Sequence, residues 1–155
     1  EDRDFVYLDS GSTSEKICDY LENSQAKFVT NSINVARKMS EKNLDCQLLG
    51  GQLKATTHAL VGEEALANLS KYNFTKAFIG ANGISLKNGV TTPDIREARI
   101  KERAILNSRK AYIVADGSKF NKIYNVRFAN LEEVIIITDR KSAENNQEEG
   151  EILYA

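Results

Sequence analysis

The chain has no tryptophan, one proline (Pro93), one histidine (His58) and two cysteines (Cys18 and Cys46) in 155 residues. Each scarcity excludes something. A zinc site at a single histidine would need Cys, Asp or Glu partners, and both cysteines sit among apolar neighbours, as buried thiols do. A Ser-His-Asp triad would have to use His58 itself, and the G-x-S-x-G elbow is missing. His58 therefore reads as a structural or interface residue. The cysteines form no CxxC pair, so nothing implies a redox motif or an oxidising compartment. Neither a GxxxxGK[ST] phosphate loop nor a GxGxxG fingerprint occurs, and adenine, flavin and haem motifs are missing too. No metal or cofactor is expected. No run approaches the roughly 18 apolar residues of a membrane-spanning helix, so no membrane partner is expected. Neither sign of charge dominates: 21 Lys+Arg face 22 Asp+Glu, for a net charge of -1 and a pI near 6.0. That balance argues against this domain holding nucleic acid, which needs a basic face. Without a Pro/Gly/Ser-rich linker or an internal repeat, residues 1–155 read as one domain. The chain opens at Glu1 rather than Met and reaches apolar residues by Phe5, with no signal peptide, which implies a fragment of a longer protein.

What is present is an alternation of short apolar runs with amphipathic stretches, the pattern of an α/β domain with a mostly parallel sheet flanked by helices. Phe5–Leu8, Lys27–Thr30, Cys46–Leu49, Lys76–Ile79, Ala111–Ala115 and Val134–Ile137 read as strands. Ile152–Tyr154 reads as a last edge strand or a frayed end, and Leu53–His58 as a short strand or an extended loop. Helices are expected through Ile17–Leu21, Val35–Met39 and Ala65–Leu69. Ser12 and Glu15 have the spacing of a capping box. Thr92 as N-cap with Pro93 in first position predicts a further helix to about Ser108. The segment before it, to Thr92, reads as a loop able to close over a ligand. The stretch after Asp139 is acidic and reads as a solvated helix or turn.

The informative feature is a placement. Polar or glycine-bearing segments follow the strands repeatedly: Asp9-Ser10-Gly11-Ser12-Thr13, Thr30-Asn31-Ser32, Gly50-Gly51, Gly80-Ala81-Asn82-Gly83 and Asp116-Gly117-Ser118-Lys119. In an open parallel sheet these lie on one rim, where ligands bind. The first segment joins a strand to a helix start, so it is either an anion cradle or a plain turn. The helix after Pro93 is crowded with charge: Arg96 to Lys110 holds six basic and two acidic residues. Glu97 and Lys101, four apart, form either a surface ion pair or a pair facing the rim. Lys119 is a natural point-charge partner for a phosphate, with Asp116 beside it, and Lys54 is a weaker candidate of the same kind.

Taken together, Asp9-Ser10-Gly11-Ser12-Thr13, Leu49-Gly50-Gly51, Phe78-Ile79-Gly80-Ala81-Asn82-Gly83, Gly89-Val90-Thr91-Thr92-Pro93-Asp94, Glu97-Ala98, Asp116-Gly117-Ser118-Lys119-Phe120 and Ile137-Thr138-Asp139 resemble the C-terminal sensor domain of DeoR-family bacterial transcription regulators. The resemblance spans nearly the whole chain and implies a ribose-5-phosphate isomerase-like fold. It also implies a cytoplasmic homo-oligomer that touches DNA only through a separate N-terminal helix-turn-helix domain, and a phosphorylated sugar as effector. By the same resemblance, Ser10, Gly11, Ser12 and Thr13, next to Asp9, cradle the phosphate. Asn31, Gly50, Gly51, Lys54, Asn82, Asp94, Glu97, Lys101, Asp116 and Lys119 lie about the sugar. The details are most similar to the fructose-operon repressor branch, which answers to fructose 1-phosphate, with the tagatose 6-phosphate-responsive lactose repressors next. One departure bears on chemistry. Isomerases of this fold carry Asp-Gly-Ala-Asp where this chain has Ile79-Gly80-Ala81-Asn82. A carboxamide does not shuttle protons at neutral pH. Recognition rather than catalysis is expected, an isomerase-like enzyme being the rival reading.

Overall fold

The computed structural model describes residues 3–22, 24–139 and 151–154. The first part of the chain forms β1 (Phe5–Leu8), α1 (Ser12–Asp19), β2 (Lys27–Thr30), α2 (Ile33–Glu41) and β3 (Cys46–Leu48). A hairpin of β4 (Gln52–Lys54) and β5 (Ala59–Val61) leads to α3 (Glu63–Leu69). Then come β6 (Phe74–Gly80), β7 (Gly83–Ser85), β8 (Gly89–Thr92), α4 (Ile95–Leu106) and β9 (Ser108–Val114). The chain ends with β10 (Val126–Ala129), β11 (Ile135–Thr138) and β12 (Glu151–Tyr154).

Seven strands make one parallel sheet in the order β12-β11-β9-β6-β1-β2-β3. The chain winds outward from β1 to β3, then returns to place β6 on the other side of β1. Strand order therefore reverses between β1 and β6, and the loops leaving these two strands diverge and open a crevice. Alternation along β1 explains the two faces. Val6 and Leu8 join Cys18, Phe28, Val35 and Met39 beneath α1 and α2. Tyr7 points the other way, into a larger core with Val29, Ala77, Ile79 and Ile113 beneath α3 and α4. Burying each large apolar side chain contributes on the order of 1.5–3 kcal/mol, so both faces anchor the strand ends from which the loops spring.

The segment 82–92, expected as a loop that closes, is instead strand. β7 and β8 pair antiparallel, and the unforeseen β10 completes a three-stranded sheet packed on α4. Gly89 has φ +65, and a Cβ there would lie 2.3 Å from the Ala129 carbonyl oxygen, which fixes the hairpin against β10. The start of α4 also differs from expectation. Asp94, not Thr92, is the N-cap: its Oδ1 accepts from the Arg96 (2.7 Å) and Glu97 (3.4 Å) amides. Thr92 is held in β8 and its hydroxyl donates to Asn82 Oδ1 at 2.9 Å, so it is unavailable as a cap. The helix stops at Leu106 rather than Ser108, which already belongs to β9. The Ser12–Glu15 capping box does not form. Gly11 is the N-cap, and the Glu15 carboxylate accepts instead from Asn34 Nδ2 at 2.9 Å. Leu53–His58 resolves into β4 and the hairpin turn. β12 is the expected edge strand, parallel to β11; the acidic stretch 140–150 lies outside the described residues.

Candidate functional site

A crevice of about 200 Å³ lies at the strand-order reversal, over the carboxyl ends of β1, β6 and β9. Ser10 to Ser14 form one wall. Gly11 takes φ +126, and a Cβ there would meet nothing within 4 Å, so backbone conformation rather than lack of space calls for glycine. The first bond within α1 runs from the Glu15 amide to the Gly11 carbonyl at 3.1 Å. The amides ahead of it have no acceptor inside the helix, and the helix dipole adds to their attraction for an anion. Gly80, Ala81 and Asn82, from the end of β6, form a second wall; Val114, Ala115 and Lys119 form a third. Glu97 and Lys101 reach in from α4, and Thr57 from the β4–β5 hairpin.

The floor rests on a buried ion pair. Lys101 Nζ bonds Asp9 Oδ2 directly and the Gly80 carbonyl at 3.1 Å. Asp9 Oδ2 also accepts from the Gly80 amide at 3.1 Å. The two side chains are only 6% and 1% exposed. One carboxylate and one ammonium thus clamp β1, β6 and α4 together. Burial pushes the Asp9 carboxyl above its ordinary range, although Lys101 and the Gly80 and Ser10 amides pull it back. Burial, reinforced by the charges of Asp9 and Glu97, raises the Tyr7 phenol well above its usual value. Among the described residues, no hydrogen-bond partner reaches the buried Tyr7 Oη, Asp9 Oδ1 or Asn31 Oδ1.

A second network joins the hairpin to α4. Lys54 Nζ lies 3.2 Å from Glu97 Oε2 and 3.0 Å from Asp94 Oδ2, and the Thr57 hydroxyl donates to Glu97 Oε1 at 2.9 Å. Burial alone would raise the Asp94 carboxyl, but the Lys54 ammonium and the Arg96 amide more than reverse this and hold it at about 2.

The structure thus brings eight of the sequence-selected residues to the crevice: Ser10, Gly11, Ser12, Thr13, Asn82, Glu97, Lys101 and Lys119. Asp9, Lys54 and Asp94 stand behind them as ion partners, and Asp116 Oδ1 caps the turn that carries Lys119 by accepting from the Ser118 amide at 2.8 Å. Asn31 ties β2 to β5: its Nδ2 donates to the Leu60 carbonyl at 3.2 Å. Gly50 and Gly51 do not line the crevice. A Cβ on Gly51 would come within 2.8 Å of the Ala65 Cβ, so this glycine serves close packing on α3. Apart from Lys101, the basic residues of α4 do not line the crevice. Arg96 and Arg99 are exposed, and Arg99 pairs with Glu63. Glu97 and Lys101 share a face yet each pairs elsewhere. Ser14, Thr57, Gly80, Ala81, Val114 and Ala115 also line the crevice without having been selected. Gly80 and Ala81 were flagged by their strand-end motif; Thr57 reaches in only through the hairpin, which residue type alone does not disclose. Among the described residues no group of three or more His, Cys, Asp or Glu side chains is placed to hold a metal ion, and no helix is long and apolar enough to cross a membrane.

The family model of the DeoR C-terminal sensor domain matches residues 1–140. This chain belongs to the DeoR family. The sensor domain is 37% identical over 139 residues to the HTH-type transcriptional regulator FruR of Bacillus subtilis, covering 89% of this chain and 55% of that protein. It is 38% identical over 124 residues to IolR of the same organism, covering 79% and 49%. Against GlpR of Haloferax volcanii it is 35% identical over 148 residues, covering 94% and 58%. The sensor domain therefore spans about half the length of these relatives, and no single branch stands apart. Its fold is similar to ribose 5-phosphate isomerase A of Methanocaldococcus jannaschii (TM-score 0.53, 14% identity, 77% of this chain and 48% of that one). The isomerase of Plasmodium falciparum is alike in fold at a TM-score of 0.52, 14% identity, and 76% and 45% coverage. The curated relatives named are transcriptional regulators, not enzymes, which agrees with a non-catalytic sensor domain.

Two outcomes test the site's electrostatics. Lys101→Met strands a buried carboxylate and should lower unfolding free energy by about 3 kcal/mol, whereas Asp9→Asn/Lys101→Met should recover much of the loss. Urea denaturation of both variants checks this. Asp94 is lowered in the folded state from 3.8 to about 2, so its contribution is present above pH 4 or so and is lost as pH falls through about 2. Asp4, whose hydrogen bond from Lys76 leads the causes that also bring it to about 2, loses its contribution in the same window. Asp94→Asn should therefore flatten, without abolishing, the decline of melting temperature across that window.

Proposed function

We propose that the crevice binds a phosphorylated sugar and that its occupancy sets the activity of a transcription regulator. The observation that carries this reading is the pairing, in one crevice at the β1/β6 reversal, of an open helix N-terminus (Gly11 to Ser14) with Lys119. A dianionic phosphate is matched by such donors and by one ammonium. Asn82, whose Oδ1 is taken by the Thr92 hydroxyl, offers its NH₂ group, and Glu97 offers carboxylate lone pairs. Both suit the hydroxyls of a sugar.

The whole protein, in this reading, is a cytoplasmic oligomer whose DNA contacts are made by a separate N-terminal helix-turn-helix domain. Effector binding biases one arrangement of those domains over another by differential affinity. Fructose 1-phosphate is the first effector to test. The similarity to FruR supports it, while similar identities to IolR and GlpR keep other metabolites in the panel. A tagatose 6-phosphate-type effector is the next, in view of 30% identity to the lactose phosphotransferase system repressor of Staphylococcus epidermidis. Against an isomerase stands Asn82, which puts a carboxamide where proton transfer needs an acid.

Titration of the domain by calorimetry with fructose 1-phosphate, tagatose 6-phosphate, glucose 6-phosphate and ribose 5-phosphate tests the reading. At least one should bind, and saturation at about 100 times Kd should add about 2.7 kcal/mol of stability. Ser12→Ala and Lys119→Ala should each weaken that ligand roughly tenfold, equivalent to about 1.4 kcal/mol. Unchanged affinity in both variants would remove the phosphate from this wall. Turnover of ribose 5-phosphate would favour the enzyme reading.

A further inference from the structure

We infer that the crevice is built for a sugar carrying a single phosphate, and that Glu97 is the residue that rejects a second one. This rests on the proposed sugar-phosphate site and sharpens its ligand class.

The argument begins with how the charges about the crevice are already matched. Lys101 is spent on Asp9, its charge compensated by a carboxylate that is 1% exposed. Lys54 is shared between Asp94 and Glu97, at 3.0 and 3.2 Å, and Arg96 also pairs with Asp94 at 3.4 Å. Lys119 alone among the crevice-lining cations has no ion pair among the described residues, although its charge helps lower the Asp116 carboxyl. The crevice therefore has one uncommitted ammonium beside one helix N-terminus. That is enough for one phosphate dianion. Gathering a second one would require breaking either the buried Asp9–Lys101 clamp or the Lys54 bridge.

The opposite side of the crevice is acceptor-rich. Glu97 is only 8% exposed and presents a carboxylate held in place by Lys54 and the Thr57 hydroxyl. A carboxylate accepts from sugar hydroxyls and, although Lys54 offsets part of its charge, Glu97 repels phosphate oxygens brought against it. The crevice is thus polarised, with donors and positive charge at the Gly11–Lys119 side and an acceptor anion at Glu97. Discrimination of this kind works by placing a like charge against the wrong ligand.

The test compares fructose 1-phosphate and fructose 6-phosphate with fructose 1,6-bisphosphate, by calorimetry on the unmodified domain, on Glu97→Gln and on Lys119→Gln. The unmodified domain should prefer the better monophosphate over the bisphosphate by at least roughly tenfold, about 1.4 kcal/mol. Glu97→Gln, which keeps an oxygen for Thr57, should shrink that ratio to near one. Thr57→Val is a second variant that leaves the carboxylate charge in place, and should preserve the ratio even if both affinities fall. Lys119→Gln should weaken both ligands and leave a preference for the monophosphate. A bisphosphate bound as tightly as either monophosphate by the unmodified domain, or a ratio unmoved by Glu97→Gln in a folded sample, would overturn the inference while leaving the sugar-phosphate site standing. Failure of every sugar phosphate to bind would overturn the proposed function itself, and this inference with it.

Discussion

The Asp9–Lys101 ion pair is the constraint from which the site follows. It sits where β1 and β6 part, under the loop that carries Gly11 and Ser12, and it reaches across to α4. Desolvating two charges is costly, so such a pair persists only when its hydrogen bonds are well met. Here the Gly80 backbone supplies two of them, donating an amide to Asp9 and accepting from Lys101. The same contacts fix the height of the β6 terminus relative to the β1 loop. They thereby set the distance between Asn82 and the α1 N-terminus, the two ends of any ligand lying across the reversal.

A second consequence concerns which charges remain for a ligand. Because Lys101 is committed to Asp9 and Lys54 to Asp94 and Glu97, a sequence with many basic residues yields a crevice with few usable ones. Arg96 and Arg99 of α4 are spent on surface pairs with Asp94 and Glu63. Net positive charge along a helix is thus a poor guide to which cations line the crevice, whereas Lys119, on a short turn capped by Asp116, does line it. The carboxylate of Glu97 has the further property of touching both the crevice and the β4–β5 hairpin.

The parallel sheet and its rim were legible in the sequence because apolar runs of strand length alternate with helical periodicity and end in Gly, Ser, Asn or Asp. The Gly11 loop, Asn82 and Lys119 could be found that way, whereas Glu97 and Lys101, inside α4, were open between surface and rim until the family resemblance placed them. Other features were not legible. Thr92 and Asp94 are both good caps, and only the pairing of Thr92 into β8 decides between them. Gly50-Gly51 looks like a ligand loop in sequence, yet its small size serves the approach of α3. The strands β7, β8 and β10 are short, and their pairing depends on Gly83 and Gly89 meeting distant backbone, which local pattern does not reveal. Thr57 reaches the crevice only because a hairpin folds back over it. Each of these depends on contacts between residues far apart in sequence.

The most direct test of the central claim is the map of amide chemical-shift changes by NMR as fructose 1-phosphate, or whichever sugar monophosphate binds, is added to the domain. The account predicts the largest shifts at Ser12, Thr13, Ser14 and Lys119, with smaller ones at Asn82 and Thr57. Shifts concentrated instead at the other end of the sheet, around Arg109 and Glu132, with the Gly11 loop undisturbed, would contradict it.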